Sequence, residues 1–309
     1  MQVYSAALVI PITGPSILGG SVAVKGSRIL HVGERDWVLT TLAGTNFVEL
    51  RTDGVLMPGL VNAHTHLQYT GMAELGQGQY HGFSDWAAAF NAIYDHTSHD
   101  WAKAAAAGAN QCLRYGTTTV ADVVTDAEAG SALGDIGLHG VTYWEVMDWS
   151  NSDWQDHGHD TVLAQLAKLP KTPGLGLSPH APYSLETAPL LDVPDLARHR
   201  GMRLHIHLAE SQLEAEWAAG RSGALADLWR SEVSSLHALR KFGVGHSATE
   251  FIDQLGVLGP DCHVAHGVYT TAQDRQLLRA RGTTVALCPR SNQVIGLAAP
   301  PVAAYLQEG

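Results

Sequence analysis

Residues 58–67 read PGLVNAHTHL, an apolar run that stops on two histidines, His64 and His66. Side chains alternate across a strand, so histidines two apart project to the same side. Six further apolar runs follow: TTTVADV, HGVTYWEVM, GLGLSPH, MRLHIHLAE, CHVAHGV and TTVALCP. Helical stretches separate them. One spans residues 98–115, with Ser98 as N-cap and Gly116 just past its end; others span 187–200, closed by Gly201, and 272–281, closed by Gly282. Strands alternating with helices imply parallel pairing through crossovers, and uniformly apolar strands imply burial on both faces. Seven such units fit a (β/α)8 barrel better than an open sheet.

In such a barrel the chemistry sits at the C-terminal ends of the strands. Here those ends carry His64 and His66 on the first run, His180 on the fourth, His205 and His207 on the fifth and His266 on the sixth. Imidazole is the usual nitrogen ligand of zinc, and three protein ligands with one open position make a catalytic site. A single histidine at a strand end is more often a hydrogen-bonded polar residue. His31, His81, His96, His99, His139, His157, His159, His199, His237 and His246 take that reading. A His-x-His pair joined by histidines on two later strands is much harder to reach by accident. His205 lies two residues deeper than His207 on the same face, where a supporting or core role is as open as a ligand role. Glu210, three residues after His207, is placed to move a proton for an activated water.

Residues 1–55 read differently. SVAVKGSRILHVG alternates apolar and polar residues and is punctuated by Gly26 and Gly33, as in a small β-domain that is too short to complete a sandwich. The expected division is a β-segment at 1–55 and a hydrolase barrel at 56–309. Thirty acidic against 19 basic residues give a net charge of −11, which disfavours nucleic-acid binding. The N-terminus has no basic region ahead of its apolar stretch, and no stretch approaches the ~18–20 apolar residues of a membrane helix. Cys112, Cys262 and Cys288 are scattered and show no CxxC spacing, which suggests reduced thiols and a cytoplasmic location.

PGLVNAHTH, HIHLAE, VAHGV and LCPRSN together resemble the amidohydrolase superfamily, in its cytosine/adenosine deaminase and chlorohydrolase branch. The likeness runs over essentially the whole chain. It implies His64, His66 and His207 as metal ligands, His266 beside the attacking water, Glu210 as proton shuttle and His180, in SPHAPYS, facing the substrate. Two-metal members use a modified lysine at the end of strand four, but Pro179 and His180 stand there, and of five lysines only Lys171 is near. One Zn2+ (or Fe2+) per chain is therefore expected. HTHLQYTGMAELGQGQYHGFSDWAAAF is similar to the loop that covers modified adenosines, in the manner of the aminodeoxyfutalosine deaminases of menaquinone biosynthesis. Trp86, with Phe83 and Tyr80, could stack on substrate rings, and Arg290 could pair with a substrate carboxylate.

The expected activity is hydrolytic deamination of an adenine-containing nucleoside, with a small molecule as partner and a homo-oligomer left open. A guanine- or triazine-type aminohydrolase or chlorohydrolase is the alternative, and a non-catalytic metal-binding protein of the same fold is a more distant one. The resemblance also implies an aspartate ligand ending an eighth strand, but no aspartate follows Asp274. The expectation is a parent chain that continues with that strand, the aspartate and more β-structure. Residues 1–309 alone would then aggregate or hold metal weakly, with little activity.

Overall fold

The computed structural model describes residues 1–220 and 243–308. His237 lies outside the described residues. The chain forms two compact units, Met1–Leu60 and Val61–Gly309.

The first unit is a five-stranded mixed sheet. β1 (Gln2–Val9) pairs antiparallel with β2 (Ile17–Leu18) and β3 (Gly20–Lys25), and β3 pairs with β4 (Arg28–Glu34). On its other edge β1 runs parallel to β5 (Val48–Leu56), with the register carried to Val9↔Leu56. That pairing holds the residues just after 55 in the first unit. The helix Arg35–Thr41 contributes Val38 to a small core with Val3, Ala23 and Leu42.

Among its described residues the second unit forms a near-closed parallel barrel of seven strands. They are β6 (Leu60–Thr65), β7 (Thr117–Val124), β8 (His139–Val146), β9 (Leu175–Pro179), β10 (Arg203–Leu208), β11 (Cys262–His266) and β12 (Thr284–Ala286). Their spatial order follows the chain from β6 to β12, so every apolar run became a neighbouring strand. The alternation on β10 shows how the sequence divides its faces. Leu204, Ile206 and Leu208 are completely buried and join the apolar cluster, while His205 and His207 take the alternate positions. Each such leucine contributes roughly 1.5–3 kcal/mol through burial.

The crossover helices end where their caps direct. Thr187–His199 packs on β9 and β10 through Leu190, Val193 and Ala197, and Gly201 takes the left-handed conformation beyond it. Ala272–Arg281 starts with a reciprocal capping box between Thr271 and Asp274 and closes on left-handed Gly282. Trp101–Arg114 starts later than the sequence suggested. Asp100, not Ser98, is its N-cap, because the Asp100 carboxylate accepts the Lys103 N–H at 3.0 Å.

Candidate metal and active site

The ends of β6 and β10 bring together histidines 141 residues apart in sequence. His66 Nε2 lies 3.3 Å from His207 Nε2, and the His64 ring centroid is 5.2 Å from that of His66 and 4.9 Å from that of His207. Ligand nitrogens of all three fall within 4.8 Å of one another. Burial pushes all three imidazoles down, His66 to about 3, with neighbouring rings adding to the shift. Neutral rings keep lone pairs. Two nitrogens each about 2.0–2.1 Å from a tetrahedral ion stand about 3.3 Å apart, which is the spacing of His66 and His207. The donor set therefore fits one divalent transition ion.

Hydrogen bonding selects which nitrogens face inward. His207 Nδ1–H points at the His180 carbonyl oxygen, 3.1 Å away, with Glu145 Oε1 at 3.5 Å, which leaves Nε2 with the lone pair. His64 Nδ1 contacts His205 Nε2 at 3.2 Å. His205 is completely buried, between Tyr143 (5.2 Å) and His263 (5.1 Å), and buttresses His64 from deeper in the barrel. The backbone after His66 is fixed in turn: the Leu67 N–H donates to Asp122 Oδ1 at 2.8 Å.

Beside the imidazoles lies an acid–base pair. Glu210 Oε1 is 3.3 Å from His266 Nε2, and both side chains are buried. His266 Nδ1 meets Asn292 Oδ1 at 3.0 Å, so Nδ1–H donates there and Nε2 turns to Glu210. Burial raises the Glu210 carboxyl above its ordinary range, opposed by His266. A raised carboxyl suits a group that must take a proton and return it near neutral pH. At or within two residues past the ends of three successive strands stand left-handed, non-glycine residues, Ala209, His266 and Cys288. Such conformations cost about 1–3 kcal/mol each and gather at functional sites.

His180 stands at the same mouth, its ring 5.0 Å from that of His207 and its Nδ1 2.7 Å from Ser184 Oγ. Trp86 belongs to a row of aromatic residues on the helix Phe83–His96, 5.7 Å from Phe83 and 5.3 Å from Phe90. Phe90 contacts Tyr69, which stacks on His66 at 4.9 Å. The row thus connects to the histidines through intervening rings. Arg290 is exposed on the helix Pro289–Ile295 after β12, two residues before Asn292.

Sequence reasoning passed over Glu145, Asp122 and Glu214. Burial pushes Glu145 and Glu214 up to about 8 and Asp122 to about 7. The available signal was an acid inside an apolar strand, as in TYWEVM and TVADVV.

The chain is 29% identical over 297 residues to a 5-methylthioadenosine/S-adenosylhomocysteine deaminase of Nitratidesulfovibrio vulgaris, covering 94% of this chain and 62% of that protein. It is also 29% identical over 288 residues to an aminodeoxyfutalosine deaminase of Deinococcus radiodurans, covering 88% and 65% respectively. The chain thus spans less than two-thirds of either relative's length. In fold it is similar to Helicobacter pylori aminofutalosine deaminase in complex with methylthio-coformycin, with a TM-score of 0.84 at 18% identity, over 99% of this chain and 74% of that one. The description Amidohydrolase family matches residues 55–309, from the last residues of β5 to the end of the sequence. With the barrel and its histidine-bearing strand ends inside that match, the chain belongs to the amidohydrolase family.

Proposed function

We propose that this barrel is a metal-dependent hydrolase that removes the exocyclic amine of an adenine-bearing nucleoside as ammonia. The observation that carries the reading is the placement of a neutral imidazole triad beside the buried Glu210–His266 pair. His64, His66 and His207 would hold one Zn2+ or Fe2+ per chain. When bound, the ion supplies Lewis acidity and makes water available as a nucleophile near neutral pH.

The chain's own groups account for the proton traffic. Glu210 takes a proton from the attacking water and delivers it to the ring nitrogen beside the reacting carbon. His266, its Nδ1–H held by Asn292, turns Nε2 toward Glu210 and the oxygen on which charge develops. His180, its Nδ1 held against Ser184, faces the substrate. Water adds, the C–N bond to the amine breaks, and ammonia leaves with a carbonyl in its place. The name of one relative points to modified adenosines, and that of the other names aminodeoxyfutalosine.

Ammonia release from adenosine, 5′-deoxyadenosine, 5′-methylthioadenosine and aminodeoxyfutalosine tests the reading, with guanine and a chlorotriazine as controls. Turnover of one of the four supports it. Turnover of the controls alone, or of none by metal-loaded protein, would overturn it. If the substrate carries a carboxylate near β12, Arg290→Ala should weaken its binding about tenfold or more, while a neutral adenosine is unaffected. Equal effects on both ligands would remove Arg290 from the site.

A further inference from the structure

Glu214 has no part in the chemistry described so far, yet it is completely buried one helical turn beyond Glu210. It is the third residue of the helix Gln212–Ala218, whose N-cap, Ser211, accepts the Glu214 N–H at 3.2 Å. A glutamate in that position ordinarily reaches back to the N-cap's own N–H. Here its carboxylate, which also meets the Ser211 backbone, reaches further. One oxygen accepts the Ala209 N–H and the other the Glu210 N–H, both at 2.9 Å.

Those two N–H groups belong to the turn that aims the shuttle. Ala209 is held at φ +54, a conformation an alanine rarely adopts without external support. The Ala209 carbonyl accepts the N–H groups of Val268 and Tyr269 at 2.9 Å each, and the Leu208 carbonyl accepts that of Gly267 at 3.0 Å. The end of β10 and the segment just after His266 are therefore one hydrogen-bonded unit, and Glu214 grips it from below. On top of that unit, Glu210 and His266 meet at 3.3 Å.

We infer that Glu214 is the positioning residue of the proton shuttle: its carboxylate clamps the Ala209–Glu210 backbone and so fixes the Glu210 side chain against His266. The inference rests on the role proposed above for Glu210. It explains why an acid is buried where a helix cap alone would be satisfied by an exposed one.

The test is Glu214→Gln in metal-loaded protein, read by structure and by kinetics. The amide keeps the shape but turns an NH2 group against a backbone N–H. A crystal structure should show the Ala209–Glu210 peptide rotated and the Glu210 carboxylate swung out of reach of His266. An unchanged turn would overturn the inference whether or not a substrate is known. In turnover, kcat should fall on the order of 10²-fold, as misplacing a catalytic group by about 1 Å does, with KM and bound metal unchanged. In a Glu210→Gln background the same change should remove nothing further. An additive loss would show that Glu214 acts by another route. Wild-type protein that releases no ammonia would fail the proposed function and leave the crystal structure of the variant to decide the positioning. Should Glu214→Gln not fold, Glu214→Asp keeps both oxygens on a shorter reach and should give the same displacement.

Discussion

In the N-terminal sheet, Glu49 on β5 receives the Arg35 guanidinium in a two-pronged contact of 2.7 and 2.9 Å, with a third bond from Ser5 at 2.7 Å. Those partners hold its carboxyl down at about 2. On β8 of the barrel, Glu145 faces His207 and no cation, and burial pushes it up to about 8. Both are strand carboxylates in one polypeptide. The first is compensated by its own chain and contributes stability. The second, with Asp122, is acidic capacity kept in a low-dielectric interior, the arrangement that prepares a site for an added positive charge.

Removing that charge should have the largest effect. His66→Ala should lose the ion and all turnover, measured by elemental analysis and ammonia release. Metal at 1,000 times its dissociation constant should stabilise the intact barrel by about 4 kcal/mol and leave the N-terminal sheet unmoved. Equal protection of both units, followed by hydrogen exchange, would erase the contrast.

Next comes Glu210→Gln, which should retain one ion per chain and lose roughly 10²–10⁴ in rate, because an amide cannot carry the proton. Near-normal turnover would transfer the role to another residue.

A pH series on metal-free protein gives opposite signs in the two units. Glu49 titrates below its unfolded value of about 4.3, so its contribution is present above that pH and fades as pH falls toward 2. Glu145 and Glu214 titrate above it, so their contribution is complete below about pH 4 and is lost as pH rises through 8. Denaturation midpoints should therefore drop on the acid side for the sheet and on the alkaline side for the barrel. Restoring metal should blunt the alkaline loss. Parallel curves for the two units would refute the assignment.

The smallest effect is expected from Glu49→Gln. It should cost the sheet within about 1 kcal/mol, and less at high salt, since the pair is partly exposed.

The barrel was legible because its strands are apolar runs that stop on histidine, and because Gly201 and Gly282 end helices where only a left-handed residue fits. The histidines were legible because strand alternation fixes their side. Asp100 displaced Ser98 as a cap because two nearby residues could each serve, and only the side-chain geometry chose between them. Glu214 stayed hidden for a related reason. In SQLE it reads as an ordinary capping-box acid, and its grip on Ala209 and Glu210 depends on a backbone conformation that sequence does not announce. His263 stands at the start of the run CHVAHGV rather than at its end, so its place in the sequence marks no site, yet the register sets it opposite His205.

The ligands proposed for the ion are drawn from β6 and β10, with three strands of the sheet between them. No growing chain can assemble that chelate until residue 207 has been synthesised and the sheet has curled far enough to face its own beginning. On that assignment metal capture is a late event in folding and a report on curvature. A half-barrel holding His64 and His66 alone would bind as an ordinary histidine pair. The rise from that weak affinity to the full one, followed across chains of increasing length, would time the moment at which a ribbon of strands becomes an enclosure.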